Sequence, residues 1–356
     1  MGLHTFTMTA ARLGRYKGQI IGSAEVVEVL SKQGRQVRMP KNQSDTYVFR
    51  RFLPYGATST SGNTMNRFFQ DGTGDRGATV VQAHATQEGV TVPPETITPV
   101  DGSCTLQQYS CLFGFTDKTF DLYEDDIPKE MIKQVGQRVA LVNEMVVYGV
   151  LRSCTNVYYG GTGTTIATVN DKFTLNRVRQ IVMNLQANHG RMVTRVLKAS
   201  QDYGTSPVSP GYFVYCHTDL ESDIREMAGF IPCEKYASMK PMPNEVGAVE
   251  RFRFITSPDL PSIQDGGAAI GTTGCYSTSG TSIDVYPVIV CAEDAWSQLA
   301  VRGMEALDPT YLAPGNKDKS DPHGQRGYAG TIWYKQSVIE NHGWMAVLYV
   351  GRTAIS

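Results

Sequence analysis

Three glycines, Gly72, Gly74 and Gly77, have the GxGxxG spacing of a dinucleotide-phosphate turn. That chemistry needs a buried strand before the glycines and a helix after them, so that helical amides face the pyrophosphate. Here Ala78, Thr79, Val80 and Val81 follow, a β-type run, and a plain turn is expected. Residues 160–163 (GGTG) lack the lysine of a phosphate loop and also read as a turn. The six histidines are far apart, with no HxxxH or HExxH spacing. His217 and Asp219 have the spacing of some metal pairs, but His217 reads as the end of a strand and Thr218 as the cap of the next helix. Glu124, Asp125 and Asp126 start a helix, where they favour its dipole without catalysis. The seven cysteines form no CxxC and read as reduced thiols of a cytosolic protein. Cys216 and Cys291 lie in apolar runs, the setting of inert core thiols. No GxSxG elbow occurs. The expectation is therefore no catalytic, metal or cofactor site, no cofactor and no enzyme.

The elements that would have to position such residues point elsewhere. After Asp125, Asp126 and Pro128, apolar residues recur at Met131, Val135, Val139, Val142, Val146 and Val150, with Ile132, Met145 and Leu151 beside them. Steps of three and four predict a helix over 127–154, roughly 42 Å long at 1.5 Å per residue. Such a helix is a spine across a flat domain, a coiled-coil arm or a buried central helix. A second helix is predicted from Thr174 to a stop at Gly190, and a third from a TDLE capping box at 218–221. Strands are expected at 105–120, 211–216, 248–256, 285–291, 330–336 and 344–352. Pro287 argues for an edge or bulge, and residues 296–303 read as a short helix. Residues 52–100 hold two polar turn clusters between β-type pieces, as in a long two-stranded loop projecting from the body. Such a hairpin is marginal alone and is better placed resting on another subunit.

The 356 residues carry 33 basic and 34 acidic side chains, which excludes a uniformly basic nucleic-acid binder. The balance is uneven. Residues 1–51 hold nine basic side chains, among them Arg12, Arg15, Lys17, Arg35 and Arg38, against three acidic ones. That stretch reads as a basic arm, able to touch phosphates or a neighbour's acidic surface. No apolar run reaches about 18 residues, and residues 1–20 have no apolar signal core, so neither a membrane span nor a signal peptide is expected.

With the arm, projecting loop and spine helix in this order, three stretches carry a resemblance: 247–256 (GAVERFRFIT), 285–293 (VYPVIVCAE) and 321–334 (DPHGQRGYAGTIWY). The chain resembles the major capsid proteins of tailed bacteriophages with the Hong Kong 97 type fold, and its local motifs look most like the podophage group typified by coliphage N-four. The architectural likeness spans nearly the whole chain, whereas the motifs lie in its C-terminal third. The resemblance implies an α+β chain with an N-terminal arm at 1–50 and an extended β-hairpin loop at 51–100. A peripheral domain would hold 101–170 and 321–356 with the spine helix at 127–154, and an axial domain 171–320. It implies a structural protein of the virion, assembled in the bacterial host cytoplasm. Copies would form pentamers and hexamers that close into an icosahedral shell around double-stranded DNA, held non-specifically. Scaffolding, portal and cement or decoration proteins are the implied partners. Phe52, Tyr55, Phe68 and Phe69 are the candidate anchors of the extended loop on a neighbouring subunit, with packing inside the hairpin as the alternative.

Two departures shape the expectation. Some proteins of this fold weld the extended loop to a neighbour through a Lys–Asn isopeptide bond, yet residues 42–117 contain no lysine. No such bond is expected. No long charged, scaffold-like helix follows Met1, so a scaffold would act in trans. The alternative readings are an encapsulin-like nanocompartment subunit, disfavoured by the length of the 52–100 loop, and a cytosolic α+β enzyme whose site is unread.

Overall fold

The computed structural model describes residues 27–31, 33–42, 44–52, 85–91, 99–122, 127–197, 205–236, 241–271, 273–301 and 310–355. Strands β1 (Arg35–Met39), β2 (Thr46–Phe52), β3 (Pro99–Thr105) and β4 (Gln107–Thr116) lead to helices α1 (Asp117–Leu122) and α2 (Ile127–Arg152). Then come β5 (Val157–Tyr159), α3 (Leu175–Ala187), β6 (Val193–Leu197), β7 (Thr205–His217) and α4 (Glu221–Arg225). The chain continues through β8 (Ile231–Pro232), β9 (Glu245–Val249), β10 (Phe252–Ser257), β11 (Tyr286–Cys291), β12 (Trp296–Val301), β13 (Thr310–Leu312), β14 (Arg326–Ile339) and β15 (Met345–Val350).

Apolar runs without alternation, such as 212–216 and 286–291, belong in a sheet covered on both faces. They lie in an eight-stranded mixed sheet, ordered β5-β15-β11-β7-β10-β9-β8 with β6 on β7. On one face Tyr212, Val214, Phe252, Phe254, Val288 and Leu348 pack under Val178, Ile181, Val182 and Leu185 of α3. On the other, Phe213, Tyr215, Ile255, Ile289 and Val347 pack against Val147, Tyr148 and Leu151 of α2. A second sheet, ordered β1-β12-β14-β13 with β4 also on β14, lies under the first half of α2, where Val135 and Val139 meet Cys111 and Trp333. The indole N–H of Trp333 donates to Asn143 Oδ1 at 2.9 Å.

The spine helix thus spans two sheets, and its buried stripe bends to follow them. Val135 and Val139 face one sheet, while Val147, Tyr148 and Leu151 face the other. Val142, Val146 and Val150, expected to continue a single stripe, are only half-buried. At the change-over the fully buried side chain is Glu144.

Several expectations need correction. Of the helix expected at 296–303, the described residues Trp296–Val301 are a strand. β12 pairs with β1 on one side and β14 on the other, and these ladders outweigh any local preference in a run too short to show a period. Residues 248–256 are not one strand but an antiparallel pair, β9 and β10, turned by Glu250 at φ 53°. Pro287 lies inside the sheet, in register with Tyr349 of β15; pairing to β7 begins only at Ile289, so its missing N–H breaks no bond there. Thr218 is not the cap it was expected to be: His217 ends β7 and caps the next turn itself, its Nδ1 accepting from the Asp219 N–H at 3.0 Å. The division at 320/321 also cuts across the ladders. β12 belongs with β14 beside the spine helix, whereas β15 crosses into the eight-stranded sheet between β5 and β11.

Candidate assembly surfaces

The described part of the arm is strapped to the body through its backbone. Glu144 accepts the N–H groups of Val29 (3.1 Å), Leu30 (2.8 Å) and Ser31 (2.8 Å). Asp259 accepts the Val27 N–H at 2.6 Å, and the Ser257 hydroxyl donates to the Val27 carbonyl at 3.1 Å. The Gln298 amide donates to the carbonyl of Leu30 at 3.1 Å and to that of Gln33. Val29 and Leu30 are buried in the core below. Gly34 turns the chain at φ 80°, and a Cβ there would lie 2.8 Å from the Trp296 ring, so the turn admits no larger residue without displacement. The chain then enters β1, which runs parallel to β12.

Two titratable groups meet under this strap. Burial pushes the Glu144 carboxyl above its ordinary range, opposed by the three N–H bonds that favour the charged form. The Lys335 ammonium donates to Gln298 Oε1, and burial lowers it from 10.5 to about 8, against the pull of Glu28 and Glu144. The unfolded chain therefore binds a proton that the folded one has released between pH 8 and 10.5. The contribution of Lys335 to stability rises with pH across that window, by up to about 3 kcal/mol, while the raised thiols of Cys154 and Cys216 act in the opposite sense above pH 9. In urea unfolding, raising the pH from 7.5 to 10 is expected to favour the native chain relative to Lys335→Met by about 2 kcal/mol.

The extended loop has a described base. β2 and β3 pair over seven residues, from Thr46 opposite Thr105 to Phe52 opposite Pro99. Arg50 grips Asp101 through two bonds of 2.6 and 2.8 Å across the strands. Gly102 sits under the Phe49 ring, where a Cβ would collide at 2.2 Å. The base touches the body where the Cys104 thiol reaches the Ser337 carbonyl at 3.6 Å. Phe52, at the far end of the ladder, is 62% exposed.

Of the sequence candidates, Tyr55, Phe68, Phe69, Arg12, Arg15 and Lys17 fall outside the described residues, as do Gly72, Gly74, Gly77 and the 124–126 acidic run. Phe52 stands clear of the core. Arg35 and Arg38 lie exposed on the edge strand β1, Arg35 3.4 Å from Glu340. Glu144, which holds the arm, was not anticipated: a lone glutamate within a helix looks like a solvated one. A signal was present, since Tyr148 and Leu151 follow it at helical spacing.

The other chemistry candidates are occupied by structural work. His217 caps a turn, and Asp219 accepts from the Tyr286 hydroxyl at 2.8 Å beside Arg352 at 3.6 Å. The 160–163 turn is tied by Asn170 to Thr162 and by Arg177 to the Gly161 carbonyl. Burial raises the thiols of Cys216 to about 12 and Cys154 to about 11, so neither is a thiolate near neutrality. Among the described residues no group of three or more His, Cys, Asp or Glu could hold a metal ion, and no helix is long and apolar enough to cross a membrane.

No protein-family model matches the chain. The major capsid protein of Pseudomonas phage KPP21 is 22% identical to it over 263 residues, 68% of this chain and 66%, just under two thirds, of that protein. The capsid of Ralstonia phage GP4 superposes over 98% of this chain and 99% of its own, with TM-score 0.56 and 10% identity. The capsid of cyanophage P-SCSP1u does so over 95% and 92%, with TM-score 0.54 and 13% identity. The capsid of Helicobacter pylori bacteriophage KHP30 does so over 99% of both chains, with TM-score 0.55 and 10% identity. The chain has the Hong Kong 97 capsid fold.

Proposed function

We propose that the chain is the major capsid protein of a tailed phage, the shell subunit of its virion head, and not an enzyme. The observation that carries this is the end-to-end superposition on phage capsids at TM-scores above 0.5, joined to a curated major capsid protein as sequence relative. Among the described candidates, His217 caps a turn, Asp219 accepts from Tyr286, and Cys216 lies in the core. Copies form pentamers and hexamers that close around double-stranded DNA in the host cytoplasm, with scaffolding, portal and cement proteins as partners. The motifs at 247–256, 285–293 and 321–334 favour the podophage, N-four-like group within it. The ladders support a peripheral domain of α2 with β4, β12, β13 and β14, and an axial domain of α3 with the eight-stranded sheet including β15.

Negative-stain electron microscopy and sedimentation of the chain, alone and with its gene neighbours, test the reading. Closed polyhedra, or rings of five and six, are expected; a monomer or dimer under every condition overturns it. An encapsulin-like role would show as closed shells around a protein cargo rather than DNA.

Phe52, with Tyr55, Phe68 and Phe69, is the proposed anchor of the loop on a neighbour, and Arg12, Arg15, Lys17, Arg35 and Arg38 the surface facing DNA or a neighbouring copy. Because Phe52 is 62% exposed, Phe52→Ser is expected to change subunit unfolding by no more than about 0.5 kcal/mol while lowering particle yield. Equal yields from mutant and native chains would remove Phe52 from the interface. The absence of lysine from 42–117 gives a further expected result. Boiled mature particles should run on a denaturing gel as one 39.1 kDa band, without a covalent ladder.

A further inference from the structure

The two sheets are joined along one line. β11 passes into β12 through residues 292–295, and β14 into β15 through 340–344. The two crossings touch where the N–H groups of Glu340 and Asn341 donate to the Ala295 carbonyl at 3.0 and 3.1 Å. The spine helix runs across the same line, with Glu144 at its change-over between sheets. Over this line lies the strap. Its first residue, Val27, is bonded to Ser257 and Asp259 at the end of β10, in the eight-stranded sheet. Its middle, 29–31, is bonded to Glu144 of α2. Its end is bonded to Gln298 of β12, and the chain continues as β1 of the other sheet.

We propose that residues 27–31 and 33 are a stitch between the two sheets, setting their mutual orientation by binding both at once, with Glu144 as its central knot. The strap has no helix or strand of its own. It is held almost wholly by side chains of the body gripping its backbone, so its seating depends on both sheets presenting those groups at the correct separation. Its apolar anchors share that dependence, since Val29 and Leu30 enter a core that includes Tyr215 and Ile255 from one sheet and Trp296 and Ile339 from the other. A stitch of this kind is cooperative: cutting either end loosens the whole, and the joint beneath it loosens too. Its use in setting subunit curvature rests on the capsid reading; the coupling itself does not.

Hydrogen exchange resolved to single amides in the full-length chain tests this without reference to particles. Glu144→Gln removes the charge and one acceptor oxygen at the knot; Asp259→Ala cuts the stitch at one end, 2.6 Å from the Val27 N–H. Each is expected to speed exchange of Val29, Leu30 and Ser31 by about ten- to a hundredfold. Each should also speed the joint amides Glu340 and Asn341 by about tenfold, leaving those of β11 paired with β15 unchanged. Distances between spin labels on non-natural residues at Met183 and Ile332, exposed on opposite bodies, should broaden in both variants. The proposal is overturned if Asp259→Ala loosens Val27 alone, or if the joint amides and label distances keep their native values while the strap exchanges freely. Should Glu144→Gln fail to fold, Asp259→Ala decides the matter, because that side chain lies at the rim of the core.

Discussion

Replacing Arg253 with methionine will cost the subunit about 3–5 kcal/mol, although the new side chain is apolar and of similar length. Arg253 of β10 and Glu245 of β9 meet diagonally, Arg253 in register with Ala248 and Glu245 with Ile255, with 3% and 0% of their side chains exposed. The guanidinium meets the carboxylate in two bonds, Nε to Oε1 at 2.8 Å and Nη2 to Oε2 at 2.5 Å. The remaining lone pairs are filled by the Tyr236 hydroxyl at 2.8 Å and the Met242 N–H at 2.7 Å. Phe213 and Tyr236 present their rings to the guanidinium at 6.0 and 5.9 Å. Removing only the arginine strands a carboxylate in a dry site, and that stranded charge is the source of the cost. The double variant Glu245→Leu/Arg253→Met is accordingly expected to recover most of the loss, since a satisfied pair and a well-packed apolar pair are of comparable stability. Urea midpoints of the dissociated subunit measure both. A double variant no more stable than the single one would show that the bonds from Tyr236 and Met242, rather than the charge, dominate.

Phe254→Ala is the second large effect, again about 3–5 kcal/mol. Phe254 is fully buried, edge-on to Phe173 at 6.1 Å and tilted against Phe252 at 6.4 Å. It lies between α3 and the middle of the eight-stranded sheet, where facing strands leave little freedom to collapse into the void. Val48→Ala supplies the contrast, because Val48 is exposed on the loop base and its loss should change the midpoint by no more than about 0.5 kcal/mol. Similar costs for the two would mean that the eight-stranded sheet is not the stabilising core.

The legible parts of the fold were those in which one physical demand persists along the chain. The spine helix was readable because apolar spacing holds across 26 residues. The strands at 211–216 and 285–291 were readable because burial on both faces leaves unbroken apolar runs. What failed was short or decided from outside. Trp296–Val301 has six residues, and the two ladders that make it a strand come from residues 35–39 and 336–339. The exchange of β12 and β15 between sheets leaves no local trace, so a boundary drawn along the sequence could not find it. Glu144 was invisible for a related reason, as its partners are N–H groups of a segment 113 to 115 residues away. The resemblance to capsid proteins supplied the architecture, while the residues that hold the arm had to be found in space.

The ends of the sheets bear on how such a chain survives at high concentration. The eight-stranded sheet ends at β5, of three residues, and β8, of two, the second of them Pro232. The other sheet has edges at β13, of three residues, at β1, which carries Arg35 and Arg38 and is followed by Pro40, and at β4, of ten residues, which pairs with β14 on one side. Short, charged or proline-terminated edges offer a passing strand too few free N–H and C=O groups to grow on. A chain at high concentration risks zipping into fibres through open edges before it finds ordered partners. Blunt ends close that route at β1, β5, β8 and β13, and leave, among the described residues, β4, β6 and the seven-residue ladder of β2 and β3 as the longer edges. Crowding then favours encounters at those longer edges over encounters at the blunt ones.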